Sequence, residues 1–369
     1  MSTSEAASSP DIPATMRSLC TMHFGPPSKW EIADLPTPKI TREDEVLVKV
    51  HAAAINPTDI GGAAGRYWPA FSVPLPYKIG YDLAGTVAAV GDEVTKFKVG
   101  DELFCCLPFK EKGRFGTGAV SEYALITEEF LVAKPKNLNF VEASSIPLVA
   151  LTAIQMFDKV PGGVEGKRVF IPAALSGVGS VAAQMAKNAL GAEKVITTVS
   201  TTKIPKVEDL LGKGVVDETI DYTKDNPVGK IPHKSIDVMI DSIGAAMSSL
   251  PLLKRDGTIV ACAGTPPSGS NLKNVSFEVP FLIVKILDFV EAITKWRVGR
   301  YGVNFDSVLM KVNGSELEKI KTWVEEGKIK PVVGKVLKFA DLNRIKEECT
   351  RIMTGKGGVG KVVIQIIAE

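Results

Sequence analysis

Residues 168–179 read RVFIPAALSGVG, and the chain continues as SVAAQMAKNAL at residues 180–190. The apolar start of this stretch is typical of a buried strand. The small residues that follow are typical of a turn, and residues 180–190 are typical of a helix. The turn is a degraded form of the G-x-G-x-x-G pattern. Small residues there let a phosphate approach the backbone, and the N–H groups and dipole of the helix start favour its charge. The stretch therefore predicts a dinucleotide pyrophosphate site, the alternative being a turn without a ligand.

The residues around this stretch alternate between short apolar strands and helices. The strand before the turn and the strand after the helix lie about 30 residues apart, as a strand–helix–strand unit requires. This alternation predicts a doubly wound parallel sheet with helices on both faces, the Rossmann arrangement of the α/β class. We predict strands at residues 168–171, 194–199, 219–222, 236–240 and 258–263, and helices at 178–190, 205–211 and 245–253.

The two ends of the chain follow a different pattern. Before about residue 140, alternating strands are separated by Pro and Gly roughly every ten residues, which predicts a compact antiparallel β-rich domain. The end of the chain returns to strand character and could rejoin that domain. We predict strands at 45–54, 83–90, 118–127, 331–339 and 361–367, and helices at 141–160 (interrupted by Pro147), from near 279, and at 317–326.

These elements divide the chain into three parts. Residues 1–15 are rich in Ser, Ala and Pro and have no apolar core, so they resemble neither a signal peptide nor a transit peptide. We predict a disordered arm at residues 1–15, a β-rich domain formed by residues 16–145 with 320–369, and a nucleotide-binding domain at residues 146–319.

The composition is that of a globular chain, with 369 residues of which 45% are hydrophobic and 23% charged. Lys and Arg total 44 against 42 for Asp and Glu, so no large field of one sign is available to hold nucleic acid or an anionic membrane. Five scattered cysteines favour a reducing compartment, and we predict the cytoplasm. No histidine has metal-ligand spacing to a cysteine. The most apolar stretch, residues 279–293, contains three charges and is too short to span a bilayer.

The strand after the turn carries a signal about the nucleotide. An NAD site normally has an acidic residue about 20 residues after the glycines, where it holds the ribose hydroxyls. Here no acid occurs between Glu193 and Glu208. Hydroxyls and one cation occur instead and suit a 2′-phosphate, which predicts NADPH unless the segment is only a polar loop. The residues concerned are Ser200, Thr201, Thr202 and Lys203.

Five motifs occur in order along residues 16–368: AINPTD at 54–59, GYDLAGTV at 80–87, FKVGD at 97–101, LTA at 151–153 and GKVV at 360–363. In these motifs the chain resembles the medium-chain dehydrogenase/reductase superfamily, and within it the zinc-free quinone oxidoreductase and enoyl reductase branch. The resemblance implies a GroES-like catalytic domain, a Rossmann domain, and an active site in the cleft between them. Zinc-dependent members have a Cys where Asn56 stands and a His where Tyr81 stands, so we expect no metal.

The resemblance also implies which residues contact NADPH, the substrate and the reacting atoms. The cofactor would be lined by Thr152, Ser176, Gly177, Val178, Gly179, Ser200, Thr201, Thr202, Lys203, Tyr222, Ile243, Gly244, Ala263, Gly264, Gly360 and Lys361. Candidate walls of an apolar substrate pocket, which are otherwise plain core residues, are Tyr67, Trp68, Phe71, Tyr77, Phe281, Leu282 and Lys285.

The expected reaction is hydride transfer from NADPH to the β-carbon of an α,β-unsaturated carbonyl compound or to a quinone. Asn56 or the cofactor ribose would stabilise the enolate oxygen, and Tyr67 would donate the proton unless water does so. Two other functions stay open: a trans-acting enoyl reductase that takes carrier-bound acyl substrates in a polyketide-type pathway, and a non-catalytic NADPH-binding interaction protein. By analogy the chain would be a homodimer or a monomer.

Overall fold

The computed structural model describes residues 12–66, 74–109, 112, 116–275, 279–355 and 358–367. The described strands are β1 (Thr15–Thr21), β2 (Glu31–Pro36), β3 (Glu45–Ile55), β4 (Tyr77–Lys78), β5 (Asp82–Val90), β6 (Glu102–Cys106), β7 (Tyr123–Thr127), β8 (Val132–Ala133), β9 (Arg168–Pro172), β10 (Lys194–Val199), β11 (Glu218–Asp221), β12 (Ile236–Asp241), β13 (Leu253–Ala261), β14 (Asn304–Ser307), β15 (Val333–Lys338) and β16 (Lys361–Gln365).

The described α-helices are α1 (Pro57–Ala63), α2 (Phe140–Ser144), α3 (Pro147–Asp158), α4 (Gly177–Gln184), α5 (Lys206–Leu211), α6 (Pro227–Lys230), α7 (Ala246–Ser249), α8 (Gly269–Asn274), α9 (Phe281–Gly299), α10 (Gly314–Glu325) and α11 (Leu342–Met353). Helix α4 continues as a π-helical turn at Met185–Ala189. Within the described ranges, no helix combines the length and the hydropathy that a bilayer crossing requires.

The central sheet is parallel and has the order β11-β10-β9-β12-β13-β14. This is the doubly wound order of the Rossmann fold, so the predicted fold class is confirmed. The order reverses between β9 and β12. Ligands of such sheets bind outside the carboxyl ends of the strands at this reversal, which is where the turn after β9 lies.

The second large sheet joins the two ends of the chain. Its order is β15-β16-β3-β5-β6-β8, and β7 also pairs with β3. Strand β16 is antiparallel to β3, with Ile364 opposite Ala53, so the end of the chain rejoins the β-rich half as predicted. A smaller sheet has the order β2-β1-β4. Helix α3 packs against α4 on one side and against β5 and β6 on the other, which links the two large sheets.

Several elements differ from their predicted bounds. The predicted helix at 141–160 is divided into α2 and α3, because Pro147 starts a new helix at its first position. The predicted helix at 245–253 becomes α7 and a 3₁₀ turn at Leu250–Leu252 that contains Pro251. Strand β7 covers only the second half of the predicted 118–127 strand. Helices α1, α6, α8 and α11 and strand β14 were not predicted, and the short strands β1, β2, β4 and β8 of the β-rich half were not placed individually.

The start of β1 can be compared with the disordered arm predicted at residues 1–15. Residues 1–11 lie outside the described residues, whereas Thr15 is already the first residue of β1. The amide of Thr37 donates a hydrogen bond of 3.0 Å to the carbonyl oxygen of Ala14. The sheet therefore begins at the last residue of the predicted arm.

Candidate cofactor and active site

The turn after β9 is held in shape by its neighbours. Ala173 has a φ of 57°, and the amide of Ala174 donates to the Thr197 hydroxyl on β10 at 3.0 Å. Ser176 is the N-cap of α4, and its hydroxyl accepts from the amide of Gly179 at 3.1 Å. The amides of Gly177 and Val178 have no hydrogen-bond partner among the described residues. Two N–H groups at a helix start are therefore available to an anion.

Two glycines of this turn leave space that other residues would fill. A Cβ atom on Gly179 would lie 2.4 Å from the carbonyl oxygen of Ala173. A Cβ atom on Gly177 would lie 3.1 Å from a methyl of Val149 and 3.3 Å from Cδ of Lys361. Because Gly179 has no Cβ atom, the helix can follow the strand closely. Because Gly177 has none, the helix start stays open beside Val149 and Lys361. The residues present fit a dinucleotide pyrophosphate.

The end of the chain lies against this turn. The amide of Gly360 donates to the carbonyl oxygen of Leu175 at 2.8 Å. Gly360 has a φ of 61°, and a Cβ atom there would lie 2.0 Å from the carbonyl oxygen of Val332. Glycine is required at this position because both the dihedral angle and the contact exclude a side chain. The structure thus brings Gly360 and Lys361 beside the predicted phosphate turn.

Two further predicted cofactor segments meet each other. Gly244 follows β12 and Gly264 follows β13, and both have positive φ values, 85° and 82°. A Cβ atom on Gly264 would lie 2.5 Å from the Cα atom of Gly244. The carboxylate of Asp241 holds the first segment, because it accepts from the amides of Ile243 and Gly244 at 3.0 and 2.9 Å. The two segments therefore form one backbone surface, which includes Ala263, at the carboxyl edge of the sheet.

The polar segment after β10 contains an acid that the sequence reasoning missed. Asp221 ends β11, directly opposite Val199 in the parallel register. Its carboxylate accepts from the hydroxyl of Thr201 at 2.5 Å and from that of Thr223 at 2.6 Å. These hydrogen bonds lower the pKa of Asp221. No spacing rule finds this residue, because strand pairing and not chain distance brings it to Thr201.

Lys203 and Tyr222 flank this segment. The Lys203 ammonium donates to the carbonyl oxygen of Gly358 at 3.0 Å, which ties the segment to the end of the chain. Partial burial, and secondarily the nearby Lys206, lower the pKa of Lys203. Tyr222 is largely exposed. Ser200, Thr201 and Thr202 directly precede Lys203 in the chain, and the 2′-phosphate role of this segment stays a prediction.

A buried polar network lies beneath the turn. The ammonium of Lys361 donates to the side-chain oxygen of Asn56 and lies 3.2 Å from the carboxylate of Asp82. The side-chain amide of Asn56 donates to Asp82 at 2.8 Å. The other carboxylate oxygen of Asp82 accepts from the amide of Leu148, at the start of α3, at 2.8 Å. One turn later, the hydroxyl of Thr152 donates to the carbonyl oxygen of Leu148.

This network joins three of the predicted site residues through Asp82, which was not predicted as a site residue. Asn56, Thr152 and Lys361 are the three predicted residues, and Asp82 is the centre of the network. Asp82 is completely buried, and burial raises its pKa against the opposing effects of Lys361 and the hydrogen bonds from Asn56 and Leu148. Asn56 is 1% exposed, and both ends of its amide are hydrogen-bonded. The network fixes the amide of Asn56 in one orientation.

A buried carboxylate and a buried ammonium lie beside this network. The carboxylate of Asp59 accepts from the amide of Asn56 at 2.6 Å. Lys112 donates to the carbonyl oxygen of Gly80 at 3.0 Å, and its ammonium lies 4.5 and 4.0 Å from the ring centres of Tyr77 and Tyr81. Burial raises the pKa of Asp59 from 3.8 to about 6 and lowers that of Lys112 from 10.5 to about 8. The sequence reasoning missed Lys112, which has no motif around it.

The raised pKa of Asp59 predicts a pH-dependent stability. Between pH 4 and pH 6 the folded protein retains a proton that the unfolded chain releases, so the free energy of unfolding falls as the pH rises through this window. The variant Asp59→Asn lacks this loss. We therefore expect the free energy of unfolding of Asp59→Asn, relative to that of the wild-type protein, to rise by about 2–3 kcal/mol between about pH 4 and pH 7. Urea unfolding at several pH values measures it.

The control for this experiment is Asp92→Asn, at an exposed turn position. Its stability relative to the wild-type protein should stay constant over the same range. A constant difference for Asp59→Asn as well would contradict the assignment of the raised pKa to this carboxyl group.

The predicted substrate walls are only partly described. Tyr67, Trp68 and Phe71 lie outside the described residues, and Tyr67 was also the predicted proton donor. Tyr77 is buried under Lys112. The remaining candidates, Phe281, Leu282 and Lys285, lie in the first turns of α9 with exposed side chains. The roles of all these residues stay predictions.

The sheet order, the glycine-containing turn after β9 and the returning end of the chain are those of a nucleotide-dependent dehydrogenase or reductase. Residues 42–136 match the family model described as "Alcohol dehydrogenase GroES-like domain", and residues 216–364 match that described as "Zinc-binding dehydrogenase". The chain belongs to the medium-chain dehydrogenase/reductase superfamily, and its relatives include quinone and alkenal oxidoreductases.

Two relatives are similar over most of the chain. The 2-methylene-furan-3-one reductase of Solanum lycopersicum is 32% identical over 367 residues, which cover 98% of this chain and 82% of the relative. The chloroplastic NADPH-dependent alkenal/one oxidoreductase of Arabidopsis thaliana is 32% identical over 357 residues, covering 96% and 80%. Among solved structures, the quinone oxidoreductase from Coxiella burnetii has a TM-score of 0.76 at 26% identity and covers 96% of this chain and 100% of that chain.

The name of the second family model raises the question of a metal. Asn56 and Tyr81 stand where zinc-dependent members have a Cys and a His, and both side chains lie in the buried region just described. Among the residues that the structure describes, no group of three or more His, Cys, Asp or Glu side chains could hold a metal ion.

Proposed function

We propose that this protein is an NADPH-dependent, metal-independent reductase that transfers a hydride to the activated double bond of an enone or to a quinone. The observation that carries the proposal is the placement of an anion-binding helix start directly beside the buried Asn56–Asp82–Lys361 network. Asn56 occupies a position where the zinc-dependent members have a metal ligand. The activities named for the two similar reductases, on alkenals and on a methylene-furanone, support the same reaction class.

The residues of the turn would bind the cofactor. The free amides of Gly177 and Val178 suit the pyrophosphate, and the Gly244 and Gly264 segments offer a backbone surface without side chains at the carboxyl edge of the sheet. The ammonium of Lys203 and the hydroxyls of Ser200 and Thr202 suit the 2′-phosphate, whereas the hydroxyl of Thr201, also predicted there, donates to Asp221. When bound, NADPH supplies the hydride.

The buried network would orient the catalytic groups. Because Lys361 and Asp82 fix both ends of the Asn56 amide, the remaining N–H of Asn56 has a single direction in which to donate. We assign this N–H to the developing enolate oxygen. Tyr67 remains the proposed proton donor, with water as the alternative. The stem of Lys361 lies beside Gly177, so the network that holds the ammonium of Lys361 also supports the anion-binding turn.

The preference for NADPH predicts the effect of replacing Lys203. Charge-assisted hydrogen bonds contribute about 1.5–3 kcal/mol, so Lys203→Ala should raise the KM for NADPH about 10-fold to 100-fold and leave the KM for NADH nearly unchanged. Steady-state kinetics with both coenzymes measures the difference. Lys213→Ala, an exposed lysine just beyond α5, is the matched control and should change neither value. Equal shifts with NADPH and NADH would contradict the 2′-phosphate assignment, and Asp221 would then be the ribose-binding residue.

The function itself is tested by NADPH oxidation with three kinds of acceptor: small free enones, quinones, and an acyl thioester on a carrier protein. We expect turnover with free enones or quinones, unchanged after dialysis against a chelator. Turnover with the carrier-bound acyl group alone would favour the trans-acting enoyl reductase. Tight NADPH binding without turnover of any acceptor would favour a non-catalytic protein. Cytoplasmic localisation, the three-part domain division and a homodimeric or monomeric state also remain our predictions.

A further inference from the structure

The outward face of α9 is apolar over almost its whole length. Leu282, Ile286, Phe289, Ile293 and Trp296 follow one another at spacings of four and three residues, which places them on one side of a helix. Their side chains are 70, 53, 66, 41 and 63% exposed, respectively. No other element in the described part of the chain has so many large exposed hydrophobic residues. This surface, from Leu282 to Trp296, is called the α9 stripe below.

The opposite face of α9 already has its partner. Val284 and Val298 are buried, and Glu291, midway between them, accepts from the hydroxyl of Ser307 on β14 at 2.8 Å. A Cβ atom on Gly269 of α8 would lie 2.4 Å from the carbonyl oxygen of Val284. These contacts fix the rotation of α9 about its axis. The α9 stripe is therefore an outer surface and not a core face waiting for a neighbouring element.

The charges of α9 are sorted between its two sides. The acids face the protein: Asp288 accepts from the amide of Ser270, and Glu291 is bonded to Ser307 and lies 3.5 Å from Lys295. The cations on the outward half, in contrast, are exposed and flank the α9 stripe. They are Lys285, whose ammonium lies 5.4 Å from the ring centre of Phe281, Arg297, and Arg300, whose guanidinium lies 5.4 Å from the ring centre of Trp296.

We propose that the α9 stripe docks on the surface of an anionic lipid bilayer, with α9 lying parallel to the membrane plane. An amphipathic helix with Trp, Phe and Leu on one face and flanking cations binds in this way, because the apolar side chains enter the boundary between headgroups and acyl chains. The cations attract the anionic headgroups. At 1.5 Å per residue, the 19 residues of α9 present about 28 Å of surface.

A second copy of this chain fits the same surface less well. Pairing two α9 stripes would bring Lys285, Arg297 and Arg300 of both copies to one interface, with no outward-facing acid on either helix to balance them. Like charges at an interface disfavour association. A bilayer containing anionic lipid supplies the missing negative charge.

The charge beside the α9 stripe differs from the charge of the whole chain. The formal net charge of +2 gives no long-range attraction to a membrane. The attraction proposed here is local, because the acids of α9 are turned toward the protein. It should therefore be short-ranged and sensitive to ionic strength.

The test is co-sedimentation of the full chain with vesicles of phosphatidylcholine, with or without phosphatidylserine. We expect about 10-fold more binding to the anionic vesicles at low salt, reversed by added salt. Phe289→Glu should reduce this binding about 10-fold, and Arg297→Gln with Arg300→Gln should remove the preference for the anionic vesicles. Val99→Glu, at an exposed apolar residue in a distant turn, is the control and should bind like the wild-type protein.

Two results would overturn the proposal. One is equal vesicle binding, or none, by the wild-type protein, Phe289→Glu and Val99→Glu. The other is a wild-type dimer, measured by light scattering, that Phe289→Glu dissociates while no variant binds vesicles, which would assign the α9 stripe to a second copy. NADPH oxidation in solution should be the same in wild type and Phe289→Glu. Vesicle binding does not depend on turnover. NADPH oxidation therefore tests the proposed reaction, and co-sedimentation tests membrane docking, independently of each other.

Discussion

The variant Asp82→Ala should lower the free energy of unfolding by about 3–5 kcal/mol. The substitution leaves the buried ammonium of Lys361 without its counter-ion and leaves the amides of Asn56 and Leu148 without an acceptor. Breaking a buried ion pair by removing one partner has this order of cost, because the remaining charge stays desolvated. Equilibrium urea unfolding measures the loss. The same variant should also bind NADPH more weakly, since Lys361 lies against Gly177 of the phosphate turn.

A double-mutant cycle separates the ion pair from the rest of the network. Lys361→Met should also destabilise the protein, and Asp82→Ala with Lys361→Met should lose less than the sum of the two single changes. Lys328→Ala breaks an exposed pair with Glu326 and is the matched control, expected to change stability by less than about 0.5 kcal/mol. A loss below about 1 kcal/mol for Asp82→Ala would contradict the central place of Asp82 in the network.

The second large effect is expected at Gly179. In the variant Gly179→Ala the new methyl group would lie 2.4 Å from the carbonyl oxygen of Ala173, and that atom belongs to the turn itself. The helix start must move away from the strand, which displaces the amides of Gly177 and Val178. We expect a loss of at least about 1–3 kcal/mol in stability from overpacking. The affinity for NADPH should fall at least about 30-fold, because the anion site depends on the position of those amides.

Isothermal titration calorimetry with NADPH and thermal unfolding together measure the two effects. Gly229→Ala, in α6, is the matched control, because a Cβ atom there would meet no heavy atom within 4 Å. It should leave both NADPH affinity and stability within error of the wild-type protein. Unchanged NADPH affinity in Gly179→Ala would mean that the turn after β9 does not hold the cofactor.

The parallel sheet could be predicted because its signals are local. Each strand is a short apolar run, and the turn at residues 173–179 lies between a strand and a helix in a readable order. Helix α11 also had a local signal that was overlooked. Its residues repeat apolar and charged side chains with a helical period, Asp341 caps it, and Ile345 and Cys349 are buried four residues apart.

The candidate site was predictable only in part, because its contacts are not local. The motifs indicated Asn56 and Lys361 separately, but 305 positions separate these two residues, and only the pairing of β16 with β3 brings them together. Asp82 is one strand further across the same sheet. Asp221 reaches Thr201 through the register of β11 on β10. Lys112 has no periodic pattern or motif around it, and burial alone marks it as unusual.

We infer that the turn after β9 binds NADPH, whose hydride passes to the β-carbon of a conjugated acceptor. The most direct measurement uses NADPH carrying deuterium at C4 of the nicotinamide, an α,β-unsaturated ketone, and deuterium NMR of the product. We predict a saturated ketone with deuterium on its β-carbon. Deuterium on the former carbonyl carbon of an alcohol, or no transfer to any conjugated acceptor, would contradict the account.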